Sequence, residues 1–142
     1  MIAAEPSQTA HKVALRRAAH QLLDRPPVLT DPLAIPILGA ETAAALRADP
    51  ARFETSRVSS YLRAFMAARA RFAEDQLAHL RAHGLRQYVV LGAGLDTSAY
   101  RDPTPALSLQ VWEVDHPATQ AWKRQRLEEA EIPVPARVAV AT

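Results

Sequence analysis

The sequence predicts an α/β protein in which a helical N-terminal part precedes the opening of a doubly wound parallel sheet. Three observations point there. A long segment from about 55 to 82 repeats apolar residues at helical spacing. The run Gln87-Tyr88-Val89-Val90-Leu91 then passes directly into Gly92-Ala93-Gly94, and a second apolar run ends on the acid Asp115. Strand, glycine turn, helix, strand, acid, helix, strand is the order with which such a sheet begins.

The 142 residues, 49% hydrophobic and 23% charged, suit one globular domain of ordinary size. With no cysteine, a disulfide-stapled secreted scaffold, a thiolate nucleophile and a cysteine metal site are excluded. No apolar run approaches the roughly 18 residues that a membrane span needs. Met1 to Pro6 lacks the basic start and apolar stretch of a signal peptide. A cytoplasmic location with no membrane partner is therefore expected. The net charge is only +2, and Arg16, Arg17, Arg57, Arg63, Arg69, Arg71 and Arg81 are dispersed among acids and alanines. Without a basic block or interleaved aromatic platforms, no nucleic-acid partner is expected.

The elements follow in order. Thr9 to Leu23 is rich in alanine, leucine and arginine and stops before Pro26-Pro27. Asp31-Pro32 offers a cap and a first-turn proline for a short helix ending at Gly39. Residues 41–48 form another helix. In the segment 55–82, Val58, Tyr61, Leu62, Phe65, Phe72 and Leu80 share one stripe, with Gly84 as the cap beyond it. Gln87–Leu91 reads as a buried parallel strand. After a helical turn and the bends at Asp102-Pro103 and Thr104-Pro105, residues 107–114 form the second strand. Residues 118–131 are helical, 132–135 a linker, and Arg137–Val140 begins a third strand. Residues 1–83 are thus expected as a helical extension, and 84–142 as the first part of an α/β domain.

The chemistry concentrates at the glycine turn. A turn without Cβ atoms lets a ligand approach the backbone, whose amides point at it. An acid ending the second strand can accept hydrogen bonds from both hydroxyls of a ribose, and Asp115 lies 23 residues after Gly92. A cofactor containing adenosine fits this pair. The simpler reading is a plain strand–helix turn with Asp115 capping the next helix. The glycine pattern by itself is weak, because Thr97 stands where G-x-G-x-x-G has its third glycine. Arg69 falls within the apolar stripe while Arg71 points to the opposite side. A guanidinium buried there would need an anion, either a ligand carboxylate or a protein one such as Glu74 or Asp75.

At these residues the sequence resembles a known family. Val89-Val90-Leu91-Gly92-Ala93-Gly94-Leu95-Asp96-Thr97, Ala99-Tyr100-Arg101, Trp112-Glu113-Val114-Asp115-His116-Pro117 and Lys123 resemble the leucine carboxyl methyltransferase family. More specifically, they look like its large bacterial branch of S-adenosylmethionine-dependent methyltransferases. Thr9-Ala10, Asp31-Pro32-Leu33-Ala34 and Ala68-Arg69-Ala70-Arg71-Phe72 extend the resemblance over nearly the whole chain. It implies a Rossmann-like class I methyltransferase fold with a helical extension covering S-adenosyl-L-methionine. It further implies that Gly92, Ala93 and Gly94 line the methionine part, and that Asp115 holds the ribose. Arg69 or Arg71 grips the methionine carboxylate, and the helical wheel favours Arg69. Asp96 caps the helix or meets the ammonium group, and Arg17 is a loose match to an assisting basic residue.

Other candidates carry less. The histidines at 11, 20, 79, 83 and 116 lack metal-ligand spacing, so no metal is expected. Ser56, Ser59 and Ser60 read as caps, and Trp112 and Trp122 as core or interface residues. A doubly wound sheet continues beyond three strands. The chain is therefore expected to be a fold truncated after about three strands, an N-terminal fragment whose activity alone is in question. The expected function is methyl transfer to a carboxylate or hydroxyl, with no assigned catalytic residue. The alternatives are an NAD-binding oxidoreductase domain and a non-catalytic remnant or interaction module.

Overall fold

The computed structural model describes residues 5–54, 56–101 and 109–142. Helix α1 (Gln8–Leu23) begins at Ser7, whose hydroxyl accepts the Ala10 N–H at 3.2 Å. It stops at Asp24, ahead of the paired prolines. The expected helix from Pro32 to Gly39 is instead a series of turns and a single 3-10 turn at Pro36–Leu38. Asp31 does accept the Leu33 N–H, at 3.1 Å. Pro36 lacks an N–H to continue an α-helical ladder, which accounts for the difference. Helix α2 (Ala40–Ala48) follows Gly39, and helix α3 (Arg57–Ala82) is capped by the Ser56 hydroxyl. At its C-terminus Gly84 adopts φ +99°, and the Leu85 N–H returns to the Leu80 carbonyl at 3.0 Å. That is the left-handed stop predicted from the glycine.

Strands β1 (Gln87–Leu91), β2 (Gln110–Val114) and β3 (Val138–Ala141) form a parallel sheet in the order β1-β2-β3. Val89 pairs with Trp112, and Trp112 with Ala139. Helix α4 (Ser98–Arg101) follows the glycine turn, and α5 (Pro117–Glu129) follows β2. The proline bends at 102–105 and the expected strand residues 107–108 lie outside the described residues.

The larger core joins Ala14, Leu15 and Ala18 of α1 to Ile37, Leu38, Leu46, Leu95, Leu127 and Ile132. The helical part therefore packs into the same core as the α/β part. A second cluster under the sheet holds Leu109 and Val111 with Leu77, Tyr88 and Val90. Two burial expectations need correction. β1 is covered on one face only: Val89 is exposed and Leu91 is 77% exposed, and the neighbouring Trp112 of β2 is exposed on the same face, which no described element covers. The apolar stripe of α3 is also open, with Val58, Tyr61, Phe65 and Phe72 exposed. Among its residues only Ala67 is fully buried. No helix among the described residues is long and apolar enough to cross a membrane.

Candidate functional site

A cavity of about 660 Å³ opens at the C-terminal ends of β1 and β2, between α1 and α3. All six residues expected at a cofactor site line it: Arg69, Gly92, Ala93, Gly94, Asp96 and Asp115. Its size lies within the usual range for small-molecule sites. The place is the one where open α/β sheets bind ligands, outside the carboxyl ends of their strands.

The turn is built by backbone bonds and positive φ angles. Gly92 has φ +63° and donates its N–H to the Val114 carbonyl at 2.8 Å, and Ala93 donates to the same oxygen. A Cβ at Gly92 would meet no atom within 4 Å, so the ligand side of this glycine is clear. Gly94 has φ +49°, and its Cβ would stand 3.0 Å from the Ala10 side chain. Glycine here lets α1 lie close against the turn.

Asp115 is drawn into the same construction. Its Oδ2 accepts the Gly94 N–H at 2.7 Å, and its Oδ1 accepts the His116 N–H at 2.6 Å. It does not cap α5; the His116 ring does, accepting the Ala118 N–H at 3.2 Å. Each carboxylate oxygen keeps lone-pair capacity for a further donor.

Asp96 has two partners in the protein. Oδ1 accepts the Ser98 N–H at 2.8 Å and so caps α4, while Oδ2 takes Arg17 at 2.7 Å. Burial acts to raise its pKa, but the Arg17 charge and the Ser98 hydrogen bonds outweigh this and bring it down to about 2. Arg17 is buried and also bonds Asp31 at 2.8 Å and the Thr97 hydroxyl at 3.0 Å. Its burial opposes the charged form, and the Asp96 and Asp31 charges more than compensate, raising its pKa. Arg17 lines the cavity, yet its guanidinium nitrogens NH1 and NH2 are already committed to protein oxygens. Through these bonds it ties α1 to Asp31 and to the Asp96-Thr97 turn.

The two arginines of the R-x-R segment separate cleanly. Arg71 pairs with Asp75 at 2.8 Å and donates to the Val28 carbonyl. Glu74 is taken by Arg101, which also reaches Asp31 at 3.1 Å. Neither acid pairs with Arg69, whose guanidinium lies 5.9 Å from the Phe65 ring centroid and lines the cavity. Arg69 is exposed, not buried in an apolar stripe, so the expected desolvation cost is absent. What singles it out is position: it is an arginine without an ion pair among the described residues, at the cavity wall.

Apart from Arg69 and Arg17, which the sequence already singles out, the helix residues lining the cavity escape the sequence reading. Ala10, Val13, Ala14 and Arg17 of α1, and Met66, Arg69, Ala70 and Ala73 of α3, face the cavity. Each set has the spacing i, i+3, i+4, i+7, a signal hidden by the bulkier stripe on α3. Thr97, at the place of a third glycine, is buried and donates its hydroxyl to Asp31 at 2.6 Å. A hydroxyl tied into this polar floor explains why glycine is absent there. Among the described residues, no group of three or more acids and histidines is arranged to hold a metal ion.

Comparison with known proteins agrees with the geometry. The model of the leucine carboxyl methyltransferase family matches residues 10–142. A Bacillus subtilis protein named "Putative S-adenosyl-L-methionine-dependent methyltransferase YktD" is 35% identical over 150 residues, covering 92% of this chain and 49% of that protein. A protein from Mycolicibacterium smegmatis with a name of the same kind is 33% identical, covering 99% of this chain and 48% of its own length. A third, from Mycobacteroides abscessus, is 34% identical, covering 86% and 40%. The chain thus spans about half the length of the curated relatives it matches. Since the match takes in both the glycine turn and the Asp115 corner, the chain belongs to the leucine carboxyl methyltransferase family.

Proposed function

We propose that this chain binds S-adenosyl-L-methionine in the cavity above β1 and β2 and serves as the cofactor-binding part of a methyltransferase acting on a carboxylate or hydroxyl oxygen. The observation that carries this reading is the convergence of Arg69, the Gly92–Gly94 turn, Asp96 and Asp115 on one cavity. Residues 1–83 act as the helical cover, and 84–142 as the first part of the cofactor-binding domain.

The residues present fit the group. Arg69 would hold the methionine carboxylate as a bidentate donor. The turn backbone would lie against the methionine chain, on the side where Gly92 leaves open space. Asp96 stays ionised at neutral pH and suits the ammonium group. Asp115 would accept from the ribose hydroxyls with the lone pairs left over from Gly94 and His116. When bound, S-adenosylmethionine supplies a methyl group on a sulfonium centre. The chain's own contribution is binding, orientation and exclusion of water by α1 and α3. An ionised carboxylate acceptor is already a nucleophile and needs no base.

An NAD domain is the weaker reading. The phosphate-binding use of a glycine turn relies on a helix N-terminus open to the pyrophosphate. Here the start of α4 is already capped by Asp96, which puts a carboxylate at that place. Calorimetric titration of the chain with both cofactors tests the choice. Binding of S-adenosylmethionine without NAD is expected; NAD binding in its place would overturn the reading.

A further inference from the structure

Three residues that carry the family resemblance make no contribution to the cavity wall: Tyr100, Glu113 and Lys123. They meet beneath the site. Lys123 Nζ donates to both carboxylate oxygens of Glu113, at 2.7 and 2.8 Å, and the Tyr100 hydroxyl donates to Glu113 Oε2 at 2.9 Å. The Lys123 ammonium also lies 4.9 Å from the centre of the Tyr100 ring. Glu113 and Lys123 are each about 1% exposed at the side chain.

We infer that Tyr100, Glu113 and Lys123 are positioning residues, which hold the glycine turn and the Asp115 corner at the separation that cofactor binding requires. The inference rests on the cofactor reading above.

Placement supports it. Tyr100 sits on α4, directly after the turn that carries Gly92, Gly94 and Asp96. Glu113 is on β2, two residues before Asp115, and Lys123 is on α5, which starts two residues after Asp115. The three side chains therefore join the three elements that carry the turn and the acid. The Gln120 side chain adds a bond from α5 to the Glu113 carbonyl at 3.4 Å. The product of this arrangement is the 2.7 Å bond from Gly94 N–H to Asp115 Oδ2.

Energetics point the same way. A buried ion pair seldom stabilises a fold more than apolar side chains of similar volume would, since desolvation cancels much of the attraction. What an apolar set cannot supply is direction: two bonds from Lys123 and one from Tyr100 fix the Glu113 carboxylate. Burial pushes the Lys123 pKa down, and the Glu113 carboxylate opposes that fall. Lys123 also adds to the positive charge that holds Asp96 ionised, so the set reaches the site electrostatically as well.

The test compares the 142-residue chain with Tyr100→Phe/Glu113→Met/Lys123→Met, which removes the polar groups and keeps much of the volume. Affinity for S-adenosylmethionine is measured by calorimetry, and Gly94 amide exchange by NMR without cofactor. The expected result is a folded variant with roughly fivefold weaker or poorer binding and faster Gly94 exchange. A folded variant with both values unchanged would overturn the inference. Should the triple variant not fold, Tyr100→Phe alone must show the same two changes, smaller in size; no change in either overturns it. If the unaltered chain binds no S-adenosylmethionine, the cofactor reading fails. The exchange of Gly94 then still reports whether the three residues hold the turn against Asp115.

Discussion

Asp115 Oδ2 accepts the backbone N–H of Gly94 at 2.7 Å, so the acid at the end of β2 reaches across to the turn at the end of β1. One side chain thus contributes to the shape of the cavity and offers acceptor capacity to what binds in it. Asp115→Ala removes both. Affinity for S-adenosylmethionine is expected to fall at least about tenfold, roughly 1.4 kcal/mol, in a calorimetric titration. An unchanged affinity would remove Asp115 from the site.

Arg69 and Arg71 stand two residues apart and face different partners. Arg71 is paired with Asp75, whereas Arg69 is at the cavity wall without an ion pair among the described residues. Arg69→Ala should weaken S-adenosylmethionine binding at least about tenfold with little change in melting temperature. Arg71→Ala should leave affinity unchanged. The reverse pattern would transfer the carboxylate-binding role to Arg71.

Gly94 combines φ +49° with an α1 side chain 3.0 Å from where its Cβ would lie. Gly94→Ala is expected to destabilise the fold by more than about 1 kcal/mol, since an L side chain resists that φ and α1 would have to move. Thermal melts of the two proteins check this. A melting temperature equal to that of the parent chain would show that α1 does not press on the turn.

Asp96 has a folded-state pKa of about 2, against an ordinary value of 3.8. Its pKa is depressed on folding, so the stability it contributes is present above about pH 4 and is lost as pH falls through about 2. Denaturant melts of the parent chain and of Asp96→Asn should therefore differ most at neutral pH and converge between pH 4 and pH 2. A difference independent of pH over that window would show that the Asp96 charge does not stabilise the fold.

The exposed apolar side chains of the sheet make a fourth kind of check. Val89 and Trp112 are cross-strand neighbours on the open face. Contiguous exposed apolar surface binds hydrophobic dyes. Val89→Thr/Trp112→Thr should lower dye fluorescence with the melting temperature nearly unchanged. A large fall in that temperature would mean the face is packed in solution.

The local code was legible where it is strictly local. Ser56 caps a helix, Gly84 ends one, and the glycines at 92 and 94 take positive φ, each as their chemistry dictates. The order of strand, turn and acid likewise announced a parallel sheet with a site at its carboxyl end, because a turn and an acid about 20 residues apart are brought together by any βαβ unit. The capping residues at the start of the stretch from 32 to 39 suggest a helix, but Pro36 within it limits the structure to turns and one 3-10 turn.

What the chain alone left open was settled by packing. Apolar spacing marks a stripe on α3 but not whether anything covers it; Tyr61 and Phe72 are exposed, and the smaller face of Met66, Ala70 and Ala73 borders the cavity. The partners of Arg17, Thr97 and Arg101 lie up to 80 residues away, so no local pattern exposes that network. That Arg71 is ion-paired while Arg69 has no ion pair among the described residues follows from the positions of Asp75, Glu74 and Arg101. Sequence by itself determined the order of elements, and the turn and the acid that border the cavity. Tertiary structure decided which arginine faces that site and which is already neutralised, because ion pairing depends on distances between elements that only folding sets.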